Sequence, residues 1–204
     1  MLFRSGADVP MLICSTRNEQ SPSWLDAGLE QVTLDQVAER VKQRAGFGPG
    51  FGEKSKDVVD AYAKAFPGLR PVEIWSLVTS NRQSAVALAD AKSKQPAPVY
   101  VAWFGWQPPM FDGRMRAFHC LDICFWFDNT DLMLSHTGGG ARPRALSDKM
   151  AGALVRFMRT GDPSGPALPW ARYTSANGET MVLDDVCALK NDPDREARKA
   201  LPAV

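Results

Sequence analysis

The stretch Pro98-Val-Tyr-Val-Ala-Trp-Phe104 is apolar at every position and rich in β-branched and aromatic residues. A strand with one wet face alternates polar and apolar residues, so an unbroken run belongs to a strand covered on both faces, as in a parallel sheet between helical layers. Val9-Pro-Met-Leu-Ile-Cys14 repeats the pattern near the amino terminus. Two such strands with helical sequence between them point to an α/β fold. A polar loop, Ser15-Thr-Arg-Asn-Glu-Gln20, follows the first strand at once. The carboxyl ends of strands are where an open α/β sheet places its working groups, so Glu19 stands at a candidate functional position, with a solvated loop carboxylate as the alternative.

Helical signals fill the interval. Thr33-Leu-Asp-Gln36 is a capping box, with Leu34, Val37, Ala38 and Val41 on one face and Gly46 as the stop. Gly46-Phe-Gly-Pro-Gly-Phe-Gly52 reads as a flexible loop. It neither follows a strand nor precedes a Lys-Ser/Thr pair, so it is not a phosphate loop. Ser55 is expected to cap a helix that runs to Phe66 and stops at Pro67, Pro71 to open a third, and the alanine-rich segment from Asn81 to Lys92 to form a fourth. Ile74, Trp75, Leu77 and Val78 read as core.

Past the second strand comes a loop with several turn formers, Gly105-Trp-Gln-Pro-Pro-Met-Phe-Asp-Gly113, and then His119, one of only two histidines in the chain. An unperturbed imidazole has its pKa near neutrality, and this one sits at the edge of an apolar run, which suits either a general base or a core-edge histidine with one satisfied hydrogen bond. If the two strands are parallel, Glu19 and His119 lie at the same edge of the sheet. Farther on, Ser147 is expected to cap a helix through Met158, with Met150, Ala151, Leu154, Val155 and Met158 as its apolar face and Gly161 as its end. A Pro/Gly-rich connection leads to Trp170 and Tyr173, Asn177-Gly178 to a turn, Thr180-Met-Val-Leu-Asp184 to a last strand, and Asp194 to Leu201 to a charged terminal helix. No internal repeat or linker divides the chain.

Composition closes off other classes. A net charge of +1 gives no reason to invoke nucleic acid or an anionic membrane, and no apolar run approaches the roughly 20 residues of a membrane span. The first residues, Met-Leu-Phe-Arg-Ser-Gly-Ala-Asp, lack the layout of a signal peptide. The four cysteines form no Cys-x-x-Cys pair, so reduced thiols and a cytoplasmic location are favoured. His119, Cys120 and Cys124 lack a fourth ligand at suitable spacing, so no metal is expected, and no cofactor.

Four ordered stretches resemble the type-B carboxylesterases. Val9-Pro-Met-Leu-Ile-Cys-Ser-Thr-Arg-Asn-Glu19 is similar to the strand and loop that deliver that family's acidic triad member. Val99-Tyr100 through Trp106 with Asp112-Gly113 is similar to the strand and loop before its histidine, and Ala117-Phe118-His119-Cys-Leu-Asp122 through Phe127-Asp-Asn129 to the histidine segment itself. Phe157-Met-Arg-Thr-Gly-Asp-Pro163, Leu168-Pro-Trp170, Tyr173 and Thr180-Met-Val-Leu-Asp184 match its carboxyl-terminal pattern. The resemblance implies an α/β-hydrolase fold, a Ser-Glu-His triad and hydrolysis of a small carboxylic ester. Glu19 matches the triad acid and His119 the base, in the chain order of that fold. Cys14 stands where the family usually has glycine, Asn18 where it often has aspartate, and Gln20 in place of the glycine after the acid. His136-Thr-Gly-Gly-Gly140 looks like an esterase oxyanion loop but follows the histidine, so it reads as a mobile loop.

No Gly-x-Ser-x-Gly occurs in the sequence. The resemblance therefore implies that residues 1–204 are the carboxyl-terminal part of such a domain, an incomplete central sheet with flanking helices. The serine and oxyanion loop then belong to a missing amino-terminal half, its expected partner. On that reading the chain alone is inactive, and its first strand exposes an apolar edge. Two other readings stay open: a catalytically inactive fragment or binding remnant of the family, and a thiol hydrolase using Cys120. Trp103, Phe104, Trp106 and the helices between residues 25 and 95 are candidates for one wall of a substrate pocket, with the core as the first expectation for most of those aromatics.

Overall fold

The computed structural model describes residues 6–46 and 48–202; the leader reading of residues 1–5 lies outside the described residues. The first strand, β1 (Met11–Thr16), is followed by a 3-10 turn (Ala27–Gln31), helix α1 (Leu34–Gln43), a two-residue hairpin of β2 (Arg44–Ala45) and β3 (Gly48–Pro49), and helices α2 (Ser55–Ala65), α3 (Pro71–Val78) and α4 (Arg82–Lys92). Strand β4 (Val99–Phe104) leads to α5 (Leu121–Trp126), α6 (Leu134–Thr137) and the long α7 (Ala141–Thr160). Strands β5 (Glu179–Leu183) and β6 (Ala188–Asn191) and a single turn, α8 (Arg195–Arg198), complete the chain.

The main sheet has the order β1-β4-β5-β6. β1 runs parallel to β4, in register from Met11 opposite Val99 to Thr16 opposite Phe104; β4 and β5 are parallel, and β5 and β6 antiparallel. Every residue of β4 is buried, as its unbroken apolar run requires. Successive side chains point to opposite faces. Tyr100, Ala102 and Phe104 join the core built with α5 and α7, whereas Val99 and Val101 meet Ile13 and Ala89, and Trp103 meets the layer of α1, α2 and α3. β1 lies at one end of the sheet, and among the described residues no strand pairs with its outer edge. That open edge leaves backbone donors and acceptors available to another polypeptide.

The capping box at the start of α1 forms as read: Gln36 N donates to Thr33 Oγ1 at 3.2 Å and Thr33 N donates to Gln36 Oε1 at 2.9 Å. Thr33→Ala is expected to cost about 1 kcal/mol, visible as a lower urea midpoint at unchanged slope. Pro71 opens α3 and Gly161, at φ 74°, ends α7.

Several boundaries differ from the sequence reading. α1 stops at Gln43 rather than Gly46, because the glycine-rich segment forms a hairpin whose Gly50 N donates to Gln43 O at 3.0 Å. A side chain at Gly50 would meet that backbone at 2.3 Å. Ser55 makes no cap; it begins α2 inside the helix, behind a 3-10 turn (Gly52–Lys54). Ser147 lies within α7, where its hydroxyl points at Phe125 O and Asp128 Oδ1 and so ties α7 to the end of α5. Val155 and Met158 are exposed rather than core. His136 and Thr137 belong to α6, leaving only the three glycines that follow as irregular backbone. The strand read at Thr180–Asp184 forms as β5 but is not the last, since β6 follows and pairs antiparallel with it; the β6 sequence, Ala188-Leu-Lys-Asn191, is short and largely exposed and carries no periodic signal. Trp103, Phe104 and Trp106 are buried in the core.

Candidate active site at the ends of the parallel strands

β1 and β4 finish level with each other: Arg17 N donates to Phe104 O at 2.7 Å, and Gly105 N donates to Leu183 O at 2.8 Å. The polypeptide that leaves β1 and the one that leaves β4 therefore emerge at the same end of the sheet. Asn18 joins them. Its backbone N donates to Ala117 O at 3.1 Å, and its side-chain Oδ1 accepts from Ala117 N at 3.4 Å. The acid loop is held from the other side by α3, where Ser76 Oγ donates to Gln20 O.

The segment before the histidine follows an irregular path. Phe111, Asp112, Arg116 and Cys120 all have positive φ without being glycine, a conformation that costs free energy and persists only when its surroundings hold it. Arg116 supplies much of that hold. Its guanidinium is fully buried and donates to Ser23 Oγ at 2.8 Å, to Arg114 O at 3.0 Å and to Glu30 Oε1 at 2.8 Å. Ser21 Oγ donates to Met115 O, and Arg114 donates to the carbonyls of Ser23 and Trp24. The histidine turn is thus pinned to the acid loop along its length. Nothing in the sequence pattern distinguished Ser23 or Arg116 from ordinary loop residues, and Asn18 stood out only as a departure from the resembled family, because their partners lie 86 to 99 positions away.

This scaffold brings the two candidate residues together. Glu19 Oε2 and His119 Nδ1 lie 2.5 Å apart; the carboxylate is 8 % exposed and the imidazole 58 %. A carboxylate can only accept, so an ionised Glu19 holds the Nδ1 proton and makes Nε2 the basic nitrogen of the ring.

A second carboxyl adjoins the pair. Burial lifts Asp122 above the ordinary carboxylate range; hydrogen bonds from Cys14 and Trp126 act against that rise and the charge of Glu19 adds to it. Trp126 Nε1 donates to Asp122 Oδ2 at 3.2 Å. A carboxyl with a folded-state pKa above its unfolded value favours folding when protonated, and its ionised form lowers stability as pH rises. Asp122→Asn is therefore expected to stabilise the chain more at pH 7.5 than at pH 4, as read from urea midpoints at the two values. Partial burial, Asp122 and Glu19 also raise the thiol of Cys120, which is opposite to the thiolate activation that a cysteine nucleophile needs.

Among the described residues no helix is long and apolar enough to cross a membrane, and no cluster of three or more histidine, cysteine or carboxylate side chains is placed to hold a metal ion. No protein-family model matches the chain. It is 28 % identical to a para-nitrobenzyl esterase of Bacillus subtilis (strain 168), over 97 % of its own length and 38 % of that protein's. It is 26 % identical to a phenmedipham hydrolase of Pseudarthrobacter oxydans, over 88 % of its length and 36 % of the relative's. The solved structure of an esterase from Clostridium hathewayi, which hydrolyses aliphatic aromatic polyesters, superposes with a TM-score of 0.71 at 26 % identity, covering 94 % of this chain and 37 % of that one. The chain thus spans well under half the length of the proteins it matches.

Proposed function

We propose that this homologue of the type-B carboxylesterases, which carries part of an α/β-hydrolase fold, contributes the acid and the base of an ester-hydrolysing site. In this reading residues 1–204 are one part of a type-B carboxylesterase domain, and the nucleophilic serine and oxyanion donors come from polypeptide outside this sequence, which has no Gly-x-Ser-x-Gly. The observation that carries the proposal is the 2.5 Å contact between Glu19 and His119, at the ends of adjacent parallel strands.

His119 Nε2 takes the proton of the serine hydroxyl as its oxygen attacks the ester carbonyl, then returns that proton to the departing alcohol. Water repeats the cycle on the acyl-enzyme: it gives a proton to Nε2 as its oxygen attacks the acyl carbon, and Nε2 passes that proton to the serine oxygen as the bond to the acyl carbon breaks and the acid leaves. Glu19 keeps the imidazole in one tautomer and stabilises the imidazolium formed in each half. The open edge of β1 and the exposed apolar side chains of Ile123 and Phe127 near the histidine suit a docked amino-terminal half of the same domain. The substrate in this reading is a small carboxylic ester.

The second reading, an inactive or purely binding remnant, rests on the missing serine motif alone. Two experiments separate the readings. The pure chain is expected to show no hydrolysis of para-nitrophenyl butyrate above background; turnover that His119→Gln abolishes would contradict this. A chimera with residues 1–204 in place of the matching segment of the Bacillus subtilis esterase is expected to hydrolyse the same ester. A well-folded chimera without activity would favour the remnant.

A further inference from the structure

Glu30 stands where the two sides of the acid–base pair meet. It lies in the 3-10 turn Ala27–Gln31 that follows the acid loop, and its side chain is 12 % exposed. Both carboxylate oxygens are taken. Oε1 accepts from an Arg116 guanidinium nitrogen at 2.8 Å and from Ser23 Oγ, and Oε2 accepts from Arg70 at 2.6 Å. Burial pushes the carboxyl up, but hydrogen bonds from Ser23 and Arg116 and the charges of Arg116 and Arg70 outweigh it and hold Glu30 below the ordinary carboxylate range. The side chain is therefore an anion at neutral pH, with a guanidinium on each oxygen.

Each guanidinium leads to one member of the pair. Arg116 lies three residues before His119, and among the described residues Glu30 is its only ion-pair partner. Its φ of 53° lasts only while its surroundings hold it, so the path of the turn from Arg116 to Cys120 depends on that anchor. Arg70 leads the other way. It precedes α3, and Glu73 Oε2, on that helix, accepts from Arg70 Nε at 3.0 Å. Ser76 of the same helix donates to the carbonyl of Gln20, the residue after Glu19. One carboxylate thus joins a path to the base and a path to the acid. A buried guanidinium that loses its counter-ion must find another partner or water, and the backbone that carries it moves. A shift of about 1 Å between reacting groups costs about 10²-fold in rate.

We propose that Glu30 is a positioning residue for the acid–base pair: clamped between Arg116 and Arg70, it sets the spacing of Glu19 and His119. This role rests on the acid–base reading above, and Glu30 acts in it only through its neighbours.

The test compares Glu30→Leu with the double variant Glu30→Leu/Arg116→Met, in the intact chain and in the chimera with the Bacillus subtilis esterase. Leucine strands the buried guanidinium. The double variant removes that charge and replaces the pair with apolar side chains, an exchange that restores stability to a buried ion pair. Expected for Glu30→Leu are a lower urea midpoint, a roughly 50-fold fall in kcat with KM within about twofold, and ring nitrogen-15 signals of His119 at pH 8 that move from the Nδ1-protonated form toward a mixture of tautomers. The double variant is expected to unfold at higher urea than Glu30→Leu, with kcat and ring signals still those of the single variant. Glu30→Gln keeps an acceptor for Arg116 without the charge and is expected to lose about tenfold in kcat; it carries the comparison if Glu30→Leu does not fold. A folded, less stable Glu30→Leu that keeps the unmodified kcat or ring signals would overturn the proposal, and so would recovery of kcat together with stability in the double variant. With an inactive chimera, the ring signals and urea midpoints decide alone. The two ideas fail separately. If His119 of the unmodified chain does not carry its proton on Nδ1, the acid–base reading falls and this role with it. If it does, and neither Glu30→Leu nor Glu30→Gln alters it, only the positioning role falls.

Discussion

In the chimera with the Bacillus subtilis esterase, His119→Gln is expected to lower kcat by about 10⁴-fold with little change in KM, because glutamine cannot accept a proton while the walls of the site remain. Glu19→Gln is expected to cost a similar factor, about 10⁴-fold, since the amide no longer fixes the imidazole tautomer or balances its charge. The two losses should not add. Once His119 cannot act as a base, Glu19 has nothing to orient, so the double variant should fall within about a factor of ten of either single one. Loss that multiplies across the two positions would mean that they work separately and that the 2.5 Å contact is structural.

The second large effect concerns the fold. Asp194, 2 % exposed, accepts from Arg82 Nε at 3.2 Å and forms an ion pair with Arg198, whose Nε lies 3.0 Å from its other oxygen. Arg82 also donates to Thr180 Oγ1 at 3.0 Å and stacks 5.2 Å from Trp103, so it is fixed between α4 and the sheet. Asp194→Ala strands that guanidinium in the core, and the expected cost is about 3–5 kcal/mol, a large share of the 5–15 kcal/mol that domains typically possess. The exposed pair Arg144–Asp131 is the control: Asp131→Ala should cost less than about 1 kcal/mol. Urea unfolding followed by tryptophan fluorescence measures both, and comparable costs for the two would show that Asp194 is not the anchor its burial indicates.

Some of this was legible in the sequence for a plain physical reason. An unbroken apolar run such as residues 99–104 has few structural options, and the capping box at Thr33 is written within four residues. Glu19 and His119 could be placed at one edge of the sheet because each follows such a strand; the parallel pairing of β1 with β4 meets the condition on which that placement depended. What stayed hidden is non-local. Asn18 bridges to Ala117 and Arg116 reaches Glu30 and Ser23, contacts that no window of sequence contains. Asp194 reads as a charged helix start and turns out to be a buried counter-ion. The misplaced start of α7 has a similar origin. Ser147 carries the composition of a cap, but its hydroxyl serves Phe125 and Asp128 across the layer while the helix has already begun at Ala141.

The pairing of acid and base can be measured on the chain itself, without a serine. Nitrogen-15 NMR of His119 at pH 8 reports which ring nitrogen carries the proton. If Glu19 serves the imidazole as described, Nδ1 is protonated and Nε2 is not, and Glu19→Ala shifts the ring toward a mixture of tautomers. A proton resident on Nε2, or a tautomer balance unchanged by Glu19→Ala, would contradict it.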